Sequence, residues 1–205
     1  MTKTVAIFGS TGTTGQCVTE TALRKGYKVQ VLVREPGRLP DNLRTQIGLV
    51  QGDILSYADV LATVKDVDAV IVALGTRNDL KPTTDLSEGL KNIIQAMEAS
   101  KVEPISVCLS AFLFFDIDSG RVPDKMKDIT AEHQRMYDLL KASSLKYVAV
   151  FSPHIADEPA TGYLVENEKY ISRKVSKYDL AEFMVDSLDL TLHHRTFVGI
   201  ASKSA

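Results

Sequence analysis

Short strand-like runs of apolar residues alternate with longer amphipathic segments along most of the chain. The runs predict strands at 4–9, 28–33, 47–51, 69–74, 104–110 and 146–151. The segments between them predict helices near 13–25, 57–65, 84–100 and 125–143. The first and fourth runs are almost continuously apolar, which is typical of strands covered on both faces. This alternation predicts an α/β fold, a single-domain doubly wound parallel sheet of Rossmann-like type.

The pattern loosens after residue 152. We expect a loop at 153–163, a short strand at 167–171, a helix at 177–189 and a last strand at 196–200. No repeat, low-complexity segment or linker interrupts the 205 residues. Residues 1–205 are therefore predicted to form one domain.

A glycine-rich turn follows the first predicted strand, in the run TVAIFGSTGTTG. Gly9, Gly12 and Gly15 have the spacing G-x-x-G-x-x-G. Glycine is needed where the chain reverses, where backbone approaches a pyrophosphate and where a helix packs closely on a strand. N–H groups of the first helical turn then face the phosphates, helped by the hydroxyls of Thr11, Thr13 and Thr14. The turn predicts a dinucleotide site; the alternative is an ordinary glycine-rich strand–helix turn.

Ligands of such sheets bind beyond the carboxyl ends of the strands, so residues after each strand are predicted to converge on one crevice. Arg34 follows the second strand, and Arg38 comes four residues later. An arginine here accommodates the 2′-phosphate of NADP, whereas an acidic residue would bind the ribose hydroxyl of NAD. Strand alternation turns the neighbouring Glu35 away. NADPH is therefore the expected cofactor; the alternative is a pair of solvated surface arginines.

Asp53 and Ile54 follow the third strand. The Asp53 carboxylate is suited to accept the adenine amino group while the next backbone N–H bonds a ring nitrogen. The alternative is that Asp53 caps the following helix, a role that Ser56 is also able to fill. Three residues after the fourth strand are expected beside the ribose and nicotinamide: Leu74, Gly75 and Thr76. For Arg77, contact with a phosphate, contact with the substrate and no ligand contact all stay open.

Ser110 ends the fifth strand, where the edge of a nicotinamide ring is expected. Phenylalanines follow at 112, 114 and 115; one or two are predicted to be core and the others a stacking wall for a flat conjugated substrate. His154 follows the sixth strand and reaches the same crevice, where a catalytic and a structural role both stay open. His193 and His194 are predicted to lie on the surface.

Charge, hydropathy and cysteine content argue against several classes of protein. A formal net charge of −2 without a basic run argues against nucleic-acid binding. No apolar run approaches the roughly 20 residues that span a bilayer, and the predicted strand at residue 4 leaves no room for a signal peptide. Cys17 and Cys108 fall in a helix and a strand, as reduced thiols would, so a cytoplasmic location is expected. No metal site and no sustained apolar stripe are evident, so a monomer is expected.

The chain resembles the atypical short-chain dehydrogenase group, and within it the NADPH-dependent flavin reductase family, also called biliverdin-IXβ reductases. The resemblance covers nearly the whole chain through AIFGSTGTTG, VQVLVREPGRLP, DAVIVALGTRNDLKPTT, LSEGLKNI, SAFLFFD and SLKYVAVFSPHI. It implies hydride transfer from NADPH to flavins (FMN, FAD or riboflavin) or to linear tetrapyrroles such as biliverdin-IXβ, a step of heme catabolism. It also implies that residues 153–205 contribute to the substrate side.

The resemblance also implies roles for individual residues. Pyrophosphate would be held by Gly9, Thr11, Gly12 and Thr14, the 2′-phosphate by Arg34 and Arg38, adenine by Asp53 and Ile54, and the ribose side by Leu74 and Gly75. The rest of the cofactor crevice would comprise Leu86, Cys108, His133, His154 and Ile155. Ser110 would be the polar group nearest the reacting atoms, with Phe112, Phe115 and Arg121 on the substrate side. Close relatives would have a tryptophan where this chain has Phe115, and the loop through residues 119–121 is slightly longer.

Tyr137 and Lys141 form a Y-x-x-x-K pattern, the acid pair of ordinary short-chain dehydrogenases. Relative to the segment KASSLKYV, they fall about two helical turns too late, roughly 12 Å along a helix. We therefore interpret both as ordinary helix residues. Two other functions remain open: a non-catalytic NADPH-binding redox sensor, and S-nitrosothiol transfer through Cys108.

Overall fold

Ten strands surrounded by six helices make up the regular structure of residues 2–203, the part of the chain that the computed structural model describes. Residues 1, 204 and 205, which the predicted domain includes, lie outside the described residues. The strands are β1 (Thr4–Phe8), β2 (Lys28–Val33), β3 (Gly48–Gln51), β4 (Ala69–Val72), β5 (Ile105–Ser110), β6 (Tyr147–Ser152), β7 (His154–Ala156), β8 (Tyr163–Asn167), β9 (Lys174–Ser176) and β10 (Thr196–Ser202). The helices are α1 (Thr13–Arg24), α2 (Asp41–Arg44), α3 (Tyr57–Val64), α4 (Asp85–Ser100), α5 (Lys127–Ala142) and α6 (Lys177–Asp186).

Eight strands form one sheet in the order β3-β2-β1-β4-β5-β6-β10-β8. All neighbouring pairs are parallel except β10 and β8, which are antiparallel. From β1 the chain runs outwards through β2 and β3, and then returns to β4 on the other side of β1. This reversal beside β1 is the topological switch point of a doubly wound sheet. The predicted fold class is confirmed, with one antiparallel strand at the edge.

Helices cover both faces of the sheet. On one face α1 packs against α6, and on the other α4 packs between α3 and α5. Side chains of β1 and β4 alternate between the two layers: Ile7 and Ile71 face α1 and α6, whereas Phe8 and Val72 face the α3–α5 layer. Both layers exclude water from these strands, which is why their sequences are continuously apolar.

Strands β1 to β6 and helices α1, α3, α4 and α5 lie within two residues of their predicted ends, and α6 ends three residues before its predicted end. The C-terminal part differs. The strand predicted at 167–171 is wrong, because β8 lies earlier, at Tyr163–Asn167, and a turn follows it. The loop predicted at 153–163 contains β7, which pairs with the unpredicted β9 in a separate two-stranded sheet. In the described part of the chain, no helix combines the length and apolar character needed to cross a membrane.

Candidate cofactor and substrate site

The turn between β1 and α1 is folded so tightly that two of its glycines cannot carry a side chain. Gly9 has a φ of +92°, and a Cβ there would lie 2.3 Å from the carbonyl oxygen of Ala73. A Cβ on Gly15 would lie 2.0 Å from the carbonyl oxygen of Gly9. The turn therefore rests directly on the end of β4, and the first turn of α1 rests on the glycine loop.

Gly12 differs from its two neighbours in the motif. It is the N-cap of α1 and supplies no capping side chain, and the first helical turn contains no acidic residue. A Cβ on Gly12 would meet only the carbonyl oxygen of Gly9, at 3.4 Å. The Cβ position of this N-cap is thus otherwise open, and Thr11 and Thr14 are half-buried beside the N–H donors of the first helical turn. A pyrophosphate fits these donors and the positive end of the helix dipole.

Arg34 and Arg38 lie beside this turn, since β2 pairs with β1 in register from Thr4 to Phe8. The guanidinium of Arg34 is exposed and has neither a hydrogen-bond partner nor an ion-pair partner within residues 2–203. That of Arg38 lies 3.9 Å from the carboxylate of Glu35, a loose and exposed pair. Glu35 therefore engages Arg38 and leaves Arg34 free for an anion.

Asp53 does not cap α3. Ser56 is the N-cap, and its hydroxyl accepts the N–H of Asp59 at 3.4 Å, so the capping alternative is wrong for Asp53. One oxygen of the Asp53 carboxylate accepts the N–H of Leu55 at 2.9 Å. The side chain of Ile54 packs against Gly89 of α4, where a Cβ would lie 2.8 Å from it. Asp53 and Ile54 thus form a fixed corner at the end of β3.

The loop after β4 crosses the same edge of the sheet. Thr76 accepts the N–H of Asp79 at 3.1 Å, and Arg77 and Asn78 between them have φ values of 56° and 67°. These values describe a type I′ turn, which leaves both central side chains exposed. Leu74 and Thr76 are half-buried and Gly75 is exposed, with open space at its Cβ position. Leu86 is buried in the first turn of α4.

A buried carboxylate joins α5 to the start of α4. Glu132 is fully buried, and its oxygens accept the backbone N–H of Ser87 at 2.6 Å and the Ser87 hydroxyl at 3.0 Å. Arg135 donates its Nε to the same carboxylate at 2.8 Å and a terminal nitrogen to the carbonyl of Thr83 at 2.9 Å. We call the contacts of Glu132 with Ser87 and Arg135 the Glu132 clasp. These contacts cap α4 and fix the end of the loop that follows β4.

Ser110 pairs in register with Ser152 at the carboxyl ends of β5 and β6. The Ser110 oxygen accepts the N–H of Phe112 at 3.2 Å, which leaves the hydroxyl proton free to be donated. β2 and β5 are separated by β1 and β4, so Arg34 and Ser110 lie at the same edge of the sheet, about 14 Å apart across three strand spacings.

Two titratable side chains close to this edge are held neutral by burial. Burial raises the pKa of the Cys108 thiol to about 12, against a smaller lowering effect of Ser152. Burial also lowers the pKa of His133 to about 4, only partly opposed by Glu132. The Nδ1 atom of His133 is buried and has no hydrogen-bond partner within the described chain. An amide or hydroxyl of a bound ligand would satisfy it.

Of the three phenylalanines after Ser110, one is core, as predicted, and the other two are half-buried, so that the substrate wall stays a prediction. Phe114 is core, with its ring centroid 5.2 Å from that of Phe151 and 5.7 Å from that of Phe197. Phe115 instead contacts the ring of Tyr170 at 5.3 Å, and the Arg121 guanidinium lies 5.2 Å from its centroid. Phe112 is half-buried. Sequence reasoning missed Tyr170, because it comes from the turn after β8, more than fifty residues away.

Within residues 2–203, His154 makes no hydrogen bond with Ser110. His154 begins β7, its backbone N–H bonds the carbonyl of Arg173 at 3.1 Å, and its side chain is exposed without a partner in residues 2–203. Its neighbour Ile155 is half-buried against the α1–α6 layer. The surface prediction for His193 is wrong: its ring is buried and its Nδ1 lies 2.6 Å from the side-chain oxygen of Asn167.

Tyr137 belongs to the hydrophobic core. Its ring packs against Phe151 at 5.2 Å, and its pKa is raised to about 12 by burial and by Tyr147. Tyr147 begins β6, so the Tyr137 hydroxyl lies towards the edge opposite Ser110. The Lys141 ammonium lies over the Tyr137 ring and pairs with Asp138 at 2.7 Å.

We expect Tyr137→Phe to leave kcat and KM for a reducible substrate within about twofold of the wild type, because the variant keeps the ring contacts and loses only a distant hydroxyl. Steady-state oxidation of NADPH measures this. A loss beyond tenfold would assign Tyr137 to the chemistry.

Comparison with known proteins agrees with this geometry. The model of a family described as NAD(P)H-binding matches residues 9–191. An isoflavone reductase homolog, A622 of Nicotiana tabacum, is 27% identical over 162 residues, which cover 75% of this chain and 49% of that protein. The photosystem II assembly factor Ycf39 of Cyanophora paradoxa is 26% identical, covering 98% of this chain and 64% of that protein. The chain thus spans about half to two thirds of the length of these relatives.

Solved structures share the fold at low identity. A short-chain dehydrogenase/reductase of Veillonella parvula in complex with NADP has a TM-score of 0.80 and 17% identity, covering 100% of this chain and 96% of that one. A putative NAD-dependent epimerase/dehydratase of Bacillus halodurans has a TM-score of 0.83 and 19% identity, covering 99% and 95%. The prediction of a nicotinamide dinucleotide cofactor is confirmed at the level of the family. The chain has a Rossmann-like fold and belongs to the family described as NAD(P)H-binding.

Proposed function

We propose that the protein is an NADPH-dependent reductase that transfers hydride to flavins (FMN, FAD or riboflavin) or to linear tetrapyrroles such as biliverdin-IXβ. One observation supports this most: a single sheet edge carries Arg34, which has no partner within residues 2–203, beside the glycine turn and, two strands beyond β1, Ser110 beside aromatic residues. The first end suits a phosphorylated dinucleotide and the second a flat conjugated ring. The resemblance of SAFLFFD and GTRNDLKPTT to the flavin reductase family supports the same substrates.

Arg34 tests the cofactor part of the proposal. We expect Arg34→Ala to raise KM for NADPH by about 30-fold, because a charge-assisted contact with phosphate is worth about 2 kcal/mol. KM for NADH, which lacks that phosphate, should change less than twofold. Arg38→Ala is the matched variant, with a smaller effect because Glu35 already shares its guanidinium. Equal effects of Arg34→Ala on both cofactors would reject the phosphate role.

The chain's own residues account for the rest of the reaction. Bound NADPH would supply a hydride, for which an electron-poor conjugated ring is a ready acceptor. Phe112 and Phe115 would hold the ring against the cofactor, so that proximity provides most of the acceleration. The substrate atom that gains charge would take a proton from solvent, either directly or through the Ser110 hydroxyl, whose oxygen already accepts the Phe112 N–H.

We expect Ser110→Ala to lower kcat/KM by about tenfold, the effect of one lost hydrogen bond of 1–3 kcal/mol. The assay mixes protein, NADPH and FMN or biliverdin and follows absorbance of the reduced nicotinamide. Ser106 is a buried serine on the same strand, hydrogen-bonded to Ser187 and four residues before Ser110, so Ser106→Ala is the matched variant and should keep activity within about twofold. Unchanged turnover in Ser110→Ala would remove Ser110 from the mechanism.

The same assay separates the two other functions. A non-catalytic redox sensor would bind NADPH without oxidising it in the presence of either substrate, and it would need no aromatic wall. Nitrosothiol transfer through Cys108 requires a reactive thiolate, whereas burial raises the pKa of this thiol to about 12. NADPH oxidation that depends on added flavin or tetrapyrrole supports the reductase, and its absence with both substrates contradicts it.

A further inference from the structure

A groove of about 380 Å³ opens next to the aromatic wall, between β8, the end of β10 and the turn after β8. Its lining combines apolar residues with one acidic and one basic side chain: Leu164, Val165, Glu166, Lys169, Tyr170, Ile171 and Ala201. All seven lie in the C-terminal part expected on the substrate side, but none of them was assigned a role individually.

The floor of the groove lies on the same face of the sheet as the wall. Ala201 pairs with Leu164, and Gly199 pairs with Glu166, so these four side-chain positions share one face. A Cβ on Gly199 would lie 3.3 Å from the ring of Phe114, which identifies this face as the one that the phenylalanine loop covers. β10 is next to β6, and β6 is next to β5, so the groove lies about 10 Å from the Ser110 strand.

Tyr170 is shared between the wall and the groove. Its ring meets Phe114 at 5.7 Å and Phe115 at 5.3 Å, both edge to face, and it also lines the groove. The side chain is 37% exposed, and its hydroxyl has no hydrogen-bond partner among residues 2–203. An apolar ligand that covers Phe115 therefore meets Tyr170 next, and beyond it Leu164, which is 51% exposed.

The chemistry of the lining indicates the ligand. Leu164, Ile171 and Ala201 offer an apolar surface, and a tyrosine ring suits stacking against another ring. Lys169 at the rim pairs with Glu166 at 2.6 Å, but both side chains are more than half exposed, so this pair is weak and leaves the ammonium open to a competing carboxylate.

We propose that Tyr170, Leu164, Ile171 and Ala201 form a second substrate subsite, the Tyr170 subsite, which takes an apolar ring bearing an acidic substituent. The inference rests on the proposed function and deepens it, because a linear tetrapyrrole would extend past Phe115 into this subsite and a fused flavin ring system would not. The groove residues Leu164, Ile171 and Ala201 would therefore select tetrapyrroles by affinity without contact to a bound flavin.

The test measures equilibrium binding without turnover. Biliverdin is titrated with protein that is saturated with NADP⁺, and the change in its visible absorbance gives Kd. We expect Tyr170→Ala to raise Kd about tenfold and Leu164→Gln about threefold, since each removes apolar contact with a ring. Tyr170→Phe, which keeps the ring, should stay within twofold. KM for FMN should change less than twofold in Leu164→Gln, because Leu164 lines the groove and makes no ring contact with the aromatic wall.

Two exposed side chains elsewhere provide matched controls. Tyr178→Ala and Leu192→Gln change residues that are 41% and 65% exposed and do not line the groove, so both should bind biliverdin as the wild type does. The proposal is overturned if Leu164→Gln leaves Kd for biliverdin within twofold, or if it raises KM for FMN as much as Kd for biliverdin. The first result would mean that Tyr170 acts only by supporting Phe115.

Failure of the proposed function has a different signature. A wild type that oxidises NADPH with neither substrate refutes the reductase, while the Kd values with NADP⁺ still decide the subsite. A wild type that reduces FMN but binds no biliverdin refutes the subsite and keeps the flavin reductase.

Discussion

Replacing Gly15 by alanine is expected to destabilise the protein by about 3 kcal/mol and to abolish measurable NADPH binding. The new Cβ would lie 2.0 Å from the carbonyl oxygen of Gly9 and 2.9 Å from the Cα of Ser10. Both are backbone atoms, which cannot move aside by a change of side-chain rotamer. Alanine favours helix over glycine by about 1 kcal/mol, so the loss would occur against the local preference. Overpacking of this kind forces a backbone shift that moves α1 from the glycine loop.

Thermal unfolding and a cofactor titration measure the two effects. For a chain of this size, 3 kcal/mol lowers Tm by about 9 °C. Gly12→Ala is the matched variant, because its φ of −83° and ψ of 163° suit alanine and its Cβ has an ordinary contact at 3.4 Å. Gly12→Ala should keep Tm within about 2 °C and still weaken NADPH binding at least tenfold. Wild-type binding by Gly12→Ala would show that the pyrophosphate lies elsewhere.

The second large effect is expected at the Glu132 clasp. Glu132→Gln should lower the free energy of unfolding by about 3 kcal/mol, because an amide cannot accept from Ser87 and Arg135 together without pointing its own N–H₂ at one of these donors. The group is fully buried, so water cannot replace the lost acceptor. Denaturant unfolding monitored by circular dichroism measures the change.

The chain contains a matched control for this variant. Glu98 also accepts from the N–H and hydroxyl of one serine, Ser144, at 3.1 and 2.9 Å, but it is exposed. Glu98→Gln should therefore cost less than about 1 kcal/mol, because water satisfies the freed donors. If the two variants are equally destabilised, burial is not what makes the Glu132 clasp strong.

The strands that carry the site were predictable because burial on both faces leaves a continuous apolar signature, as in AVIV of β4. The rule that ligands bind beyond the carboxyl ends of parallel strands then brought Arg34, Asp53 and Ser110 to one edge without knowledge of any contact. Glycine spacing was equally informative, since Gly9 and Gly15 are constrained by backbone clashes within the turn itself.

Contacts between distant segments were not predictable. The edge strand β8 is half-exposed, and its sequence YLVEN continues into EKYIS with a similar apolar pattern, so periodicity alone placed the strand several residues too late. β7 and β9 have only three residues each and depend on pairing with one another. Glu132 contacts Ser87 across 45 residues, and Tyr170 reaches Phe115 across a similar separation. No local pattern encodes such pairs.

The position of β10 has a consequence for the order in which the molecule assembles. β10 follows every other strand in the sequence, yet it inserts between β6 and β8. During synthesis, strands β1 to β6 are able to pair as soon as each has been made, because each of β2 to β6 pairs with a strand that precedes it. β8 has no partner in the sheet until β10 has been synthesised. A chain that stops before residue 196 would keep the glycine turn after β1 and lose the strand against which Phe114 packs.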